Sequence, residues 1–193
     1  MRLSSRYGNS RQTGAMTEIE IKILGINRAA VETALIARGA TKCFDGEIHA
    51  IYYDLPDQSL RASGMVLRLR REGMRTVLTL KEHVENPRAK ERREREVEVL
   101  DFDAMRSVLE LIGLAPWLEM KKHRTSYLLK GTRFELDKYH GSYSHIPEFL
   151  EIEGTDTETV YRYAEDLGFS RLDCKPWDAT ELAAYYTDRE KTQ

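Results

Sequence analysis

No apolar run in this chain of 193 residues approaches the roughly 20 consecutive apolar residues that a membrane-spanning helix needs, and charged residues are spread throughout. A soluble protein with no membrane partner is therefore expected. Cysteine is scarce: Cys43 and Cys174 are too few and too far apart for a disulfide framework or a zinc motif, and a reducing cytoplasm is the expected compartment. Neither sign of charge dominates. The net charge of -2 argues against a surface built for nucleic acid, while leaving room for a local basic pocket. No repeat occurs at solenoid periods, and Met1 to Ala15 lack the apolar stretch of a secretory signal. Those residues read as a disordered leader (1–15), with Met16 as a candidate start and 16–193 as one domain of ordinary size.

What the chain does have is alternation. In Glu18-Ile19-Glu20-Ile21-Lys22-Ile23 charged and apolar residues take turns, so a strand here carries Glu18, Glu20 and Lys22 on one face and three isoleucines on the other. Later segments repeat the pattern with charges of both signs: Arg68 and Arg70, Thr79 and Lys81, Arg92 with Glu94, Glu96 and Glu98, Lys122 and Arg124, and Glu151 with Glu153. Charges gathered on one face of a sheet must find partners, because unpaired charge in a confined interior is prohibitively costly. A barrel with a polar lumen holding metal ions and a polyanion meets that demand.

Turn and cap signals divide the rest. Asn27 is placed to cap a helix from about Arg28 to Arg38 that ends at Gly39 and packs on the isoleucine face. A strand from His49 to Asp54 stops before Pro56, a turn-like stretch runs to Ser63, and Glu72-Gly73 joins a hairpin of Met65–Arg71 and Arg75–Glu82. A mobile loop is expected over Glu82–Lys90, then a strand over Glu91–Leu100 and a helix capped by Asp101 or Asp103 and closed by Gly113. The second half reads as strands over Leu118–Leu129, Arg133–Lys138 and Glu148–Gly154, with helices over Glu158–Leu167 and Ala179–Tyr186. Strands this consecutive exclude a doubly wound parallel sheet; the fold class is α+β, an antiparallel eight-stranded barrel with helices outside.

Taken in order, Glu18-x-Glu20-x-Lys22, Tyr52-Tyr53-Asp54, Leu67-Arg68-Leu69-Arg70, Thr79-Leu80-Lys81, Arg92-x-Glu94-x-Glu96, Lys122-x-Arg124, Leu136-Asp137 and Leu150-Glu151-Ile152-Glu153 resemble the CYTH superfamily, the triphosphate tunnel metalloenzymes. The resemblance covers Thr17 to the C-terminal helix. It implies a small-molecule triphosphate as substrate, Mg²⁺ or Mn²⁺ as cofactor, and a monomer or homodimer. It also implies metal ligands among Glu18, Glu20, Asp137, Glu151 and Glu153, and phosphate contacts from Lys22, Arg68, Arg70, Lys81, Arg92, Lys122 and Arg124. Catalytic roles fall to Glu20, Lys22, Glu94 and Glu96. The physical chemistry agrees, since arginine forks and lysine ammonium groups neutralise phosphates and carboxylates suit hard divalent ions.

Hydrolysis of a triphosphate, inorganic or organic, is the favoured activity, because the region from Tyr52 to Arg70 looks more like the triphosphatase members than like the bacterial cyclases. Class IV adenylate cyclisation is the alternative, and thiamine triphosphate a less favoured substrate. A silent polyphosphate- or nucleotide-binding module ranks below both, because an anion receptor gains nothing from so many carboxylates. Plainer readings stand beside these. By itself the run Lys90 to Glu98 reads as a solvated face, Tyr52 and Tyr53 as packing residues, Asp54 as a strand terminator, and the histidines as surface residues. Lys175 is open between a phosphate contact and an ordinary docking segment.

Overall fold

The computed structural model describes residues 19–84 and 91–190, with the backbone alone at 83, 84, 91, 92 and 188–190. The expected leader, Glu18 and most of the expected loop lie outside the described residues. Strand β1 (Ile19–Leu24) alternates as its sequence dictates: Ile21 and Ile23 are buried, and Lys22 turns to the opposite face. The isoleucines pack on Val31 and Leu35 of α1 (Arg28–Ala37) and on Val160 and Ala164 of α4 (Thr157–Asp166). Both helices begin at an acidic or amide cap: the Asn27 side chain accepts from the Ala30 amide at 3.1 Å and Asp156 from the Thr159 amide at 2.7 Å. At the end of α1, Gly39 takes φ +84°, the left-handed conformation that glycine adopts without strain.

The remaining strands are β2 (Thr41–Asp54), β3 (Met65–Glu72), β4 (Arg75–Val84), β5 (Glu91–Val99), β6 (Ala115–Leu129), β7 (Thr132–His140), β8 (Phe149–Gly154) and β9 (Cys174–Lys175). They form one antiparallel sheet in the order β5-β4-β3-β2-β6-β7-β8-β1-β9. The α+β antiparallel architecture is as expected; the sheet differs in detail, with nine strands rather than eight and end strands that do not pair among the described residues. The cause is local: β1 bonds β8 along one edge, and Cys174 and Lys175 occupy the other edge at Ile23 and Lys22, where a closing strand would pair. The sheet nevertheless curls until β1 and β5 line a common space.

Two boundaries differ from the sequence pattern. β2 starts at Thr41 rather than near His49, because β6 runs beside it and supplies partners from Leu128 onward. The turn-like stretch contains a short helix, α2 (Ser59–Ala62), tied down by Asp54. The Asp54 carboxylate accepts from the amides of Leu55 at 2.8 Å and Leu60 at 3.0 Å and from Arg61 Nε at 2.7 Å. It thus both ends its strand and orients a basic side chain, and the Arg61 guanidinium lies 4.2 Å from the centre of the Trp117 ring.

On the outer face of the sheet α3 (Phe102–Leu111) buries Phe102 and Leu109 against Ile51, Tyr53 and Leu69. The last helix, α5 (Ala179–Glu190), places Leu182 and Ala183 against Tyr52, Met120, Tyr139 and Phe149 at one end of the curled sheet. Leu35, fully buried between α1 and the β1–β8 pair, is the anchor that keeps this wall in register. Replacing it by alanine should lower unfolding free energy by about 2–5 kcal/mol, read as a reduced urea midpoint at unchanged slope.

Candidate functional site

Each of β1 to β8 turns alternate side chains into one cavity of about 230 Å³. Of the residues expected at the site, Glu20, Lys22, Arg68, Arg70, Lys81, Glu94, Glu96, Lys122, Arg124, Glu151 and Glu153 line it. Asp137 does not: it shares the lumen face of β7 but is fully buried beneath Arg124 and Lys122, accepting from Arg124 Nε at 2.7 Å, Arg124 Nη2 at 2.6 Å and Lys122 Nζ at 2.5 Å. Glu18 and the Arg92 side chain lie outside the described residues. Lys175 points its ammonium at the Leu172 carbonyl, 2.9 Å away, and is not part of the lining. No described histidine lines the cavity either; His123, for example, sits 3.2 Å from Asp45.

The strand register explains the grouping. β1 sets Glu20 opposite Glu153 and Lys22 opposite Glu151, while β7 sets Glu135 opposite Glu151 and Arg133 opposite Glu153. Acids therefore concentrate on the β7–β8–β1 wall. Carboxylate oxygens of Glu135, Glu151 and Glu153 all lie within 4.8 Å of one another, a hard-oxygen cluster that can hold a metal ion. Glu135 was not among the expected ligands; its signal was a step of two along the strand from Asp137, which puts both on the lumen side. Arg133, Glu72 and Arg75 also join the lining, as do Asp178, Ala179 and Thr180 at the start of α5, which no strand pattern foretells.

Deep in the cavity, opposite charges hold each other. Lys22 lies 2.8 Å from Glu151 and 3.2 Å from Glu20. Burial alone would disfavour its charge, but the two carboxylates overcome that and hold its pKa above the ordinary lysine value. Arg124 pairs with Glu135 and Asp137 and stands 3.6 Å from Glu151. Burial opposes the ionised form of Glu151, yet Lys22, Arg124 and Lys122 bring its pKa well below the usual carboxylate range. On the opposite wall Lys81 pairs with Glu94, and the Thr79 hydroxyl donates to Glu96 at 3.0 Å.

Two groups depart from this balance. Arg70 has its pKa lowered, first by the guanidinium of Arg68 beside it and then by burial; its carboxylate contact, Glu72, is 3.4 Å away. The Nε–H groups of both arginines are buried without a hydrogen-bond partner. Glu135 is pushed up to about 8, chiefly by burial; Arg124 opposes the shift, while Glu151, Asp137 and Glu153 add to it. The β3 wall thus carries crowded positive charge and the β7–β8 wall crowded negative charge.

A curled antiparallel sheet with a lumen of this kind defines a class, and the comparisons identify it. The chain belongs to the CYTH domain family, whose model matches residues 16–173. Among solved structures it is similar to the PH1012 protein of Pyrococcus horikoshii, at 26% identity and a TM-score of 0.70, covering 86% of this chain and 98% of that one. A candidate adenylate cyclase of Vibrio parahaemolyticus superposes with a TM-score of 0.74 at 19% identity, over 89% of this chain and 99% of that one. The Hippeastrum protein HpAC1, a candidate adenylyl cyclase described as having a dominant triphosphatase activity, gives 0.62 at 18% identity, over 89% and 96%. No curated protein sequence matches the chain. Among the described residues no helix is long and apolar enough to cross a membrane.

Glu135 yields a pH prediction for the metal-free protein. Its folded pKa of about 8 lies above the ordinary glutamate value of 4.5, so the folded state holds a proton that the unfolded state has lost between those values. The contribution of Glu135 to stability should therefore fall as pH rises from about 4.5 to about 8. Glu135→Gln should remove that decline, measured by denaturant titration in chelator across the window.

Proposed function

We propose that this protein hydrolyses a triphosphate held in the cavity, with inorganic tripolyphosphate as the preferred substrate. CYTH enzymes act on small-molecule triphosphates. The observation that carries the proposal is the Arg68–Arg70 pair: two adjacent guanidinium groups in the cavity wall, each with a buried Nε–H that has no partner. Like charges held together in this way are stabilised by a polyanion, which arginine forks can grip through charge-assisted hydrogen bonds. Lys81, Lys122, Arg124, Lys22 and Arg92 complete the assigned phosphate contacts.

The donor set fits a hard divalent ion, assigned as Mg²⁺ or Mn²⁺: oxygens of Glu135, Glu151 and Glu153 lie within 4.8 Å of one another, and Glu20 is the cross-strand partner of Glu153. When bound, the ion supplies neutralisation of phosphate charge and activation of water. Asp137 is assigned to orienting Arg124 and Lys122, since both lean on its carboxylate from the cavity side. Lys22, held by Glu151 and Glu20, presents a fixed ammonium to the substrate. Across the lumen, Glu96 is oriented by the Thr79 hydroxyl to take a proton from the attacking water, with Glu94 steadying Lys81. Hydrolysis breaks the bond to the terminal phosphorus and releases phosphate and pyrophosphate.

Cyclisation of ATP would need the same cradle plus a site that reads adenine and ribose. Tyr52 and Tyr139 are the tyrosines in the lining, and both are engaged in the packing beneath α5. The triphosphatase activity described for HpAC1 points the same way. Side-by-side kinetics should give a higher kcat/KM for tripolyphosphate hydrolysis than for cyclic AMP formation from ATP; the reverse order would make the protein a cyclase. Activity should vanish in excess chelator, and Glu153→Gln should lower kcat by about a hundredfold or more in a protein that still unfolds cooperatively. Arg70→Lys keeps the charge but loses the fork, and kcat/KM for tripolyphosphate should drop by about tenfold or more.

A further inference from the structure

The cavity has two unlike ends. At one, α5 packs on Tyr52, Met120 and Tyr139, and the Asp178 carboxylate caps that helix by accepting from the Thr180 and Glu181 amides, each at 2.9 Å. That end is thus lined by apolar packing and a carboxylate, with Asp178, Ala179 and Thr180 facing the cavity. Of the described lining cations, Arg133 and Arg75 have the most exposed side chains, at 48% and 49%, against 2% for Lys22, 6% for Arg124, 12% for Lys122 and 19% for both Arg70 and Lys81. The mouth therefore lies where Arg75 and Arg133 stand.

Among the described residues Arg75 stands 3.4 Å from the exposed Glu98, and Arg133 lies 3.9 Å from Glu135, a carboxylate already paired with Arg124. Arg133 also feels Glu153, its cross-strand neighbour, and Glu72. Arg75 pairs across the hairpin with Glu72, two residues outward from Arg70, so it stands one lumen step, roughly 7 Å, beyond the buried arginine pair. Arg133 is likewise one such step outward from Glu135.

We propose that Arg75 and Arg133 form an outer anion subsite that sets chain-length preference, taking the fourth and later phosphates of a linear polyphosphate whose first three lie in the cradle. The assignment rests on the triphosphate reading of the cavity. A longer chain has no room inward, where α5 packs, and must leave through the mouth between these side chains. A nucleoside is a poorer occupant of the mouth. Among the described residues the aromatic rings of the lining are Tyr52 and Tyr139, both packed beneath α5 rather than beside Arg75 and Arg133.

The test compares tripolyphosphate, tetraphosphate and a longer linear polyphosphate on the full chain. Binding is measured by calorimetry in chelator, turnover as kcat/KM with Mg²⁺. Wild type should bind the longer chains more tightly than tripolyphosphate. Arg133→Gln and Arg75→Gln should each cost the longer chains about fivefold to tenfold while changing tripolyphosphate by less than about twofold, with Arg133→Lys restoring part of the difference. Equal losses for all three chains, equal wild-type affinities, or a selective loss for ATP would overturn the subsite. Failure of the hydrolysis reading looks different: no turnover of any chain, with the affinity order and its dependence on Arg133 intact, which would support the subsite alone.

Discussion

The interior of the curled sheet depends on one requirement, that every ion taken out of water be met by another. Arg124 carries most of this: Asp137 grips it from behind with two oxygens, Glu135 pairs with it from the same strand, and Glu151 stands within 3.6 Å. Removing one partner from such a set leaves an uncompensated charge at a cost of several kcal/mol, whereas the complete set can exist in a protein interior. Lys22 repeats the arrangement three strands along the sheet, between Glu151 and Glu20. The network does not need to stabilise the fold strongly; it makes a charged lumen tolerable.

Stability comes from the outer side of the same strands. Period-two alternation sends Ile21, Ile23, Leu150 and Ile152 under α1 and α4, and Ile51, Tyr53 and Leu69 under α3. The apolar core thus lies between sheet and helices. A substitution in the lumen and one in the core therefore act mainly on separate properties, chemistry and folding, except at buried members of the ionic network such as Asp137, Arg124 and Glu135, which bear on both.

The pairing inside the lumen is also unequal, and the inequality has a direction. The β7–β8–β1 wall collects enough carboxylates that Glu135 is pushed up to about 8, chiefly by burial, and the β3 wall sets Arg68 against Arg70 closely enough to depress the latter. Both departures are relieved by the same kind of occupant, a polyanion on the basic wall accompanied by a cation on the acidic one.

Alternation in the sequence determined the strands, their inward faces and most of the lining: Glu20 and Lys22, Arg68 and Arg70, Lys122 and Arg124, Glu151 and Glu153 could be assigned to one side of a sheet because a strand has no other choice. Caps at Asn27, Asp101 and Asp156 were equally local, being bonds within a few residues of the chain. Tertiary structure alone decided which faces meet. Asp137 and Glu135 share a strand face, yet register against Arg124 buries Asp137 beneath the Arg124 and Lys122 side chains and leaves Glu135 in the cluster with Glu151 and Glu153. The occupation of β1's free edge by Cys174 and Lys175, and the packing of α5 against one end, likewise join segments distant in the sequence. Such contacts follow from pairing edges and burying surface across the whole chain, for which no local pattern carries a signal.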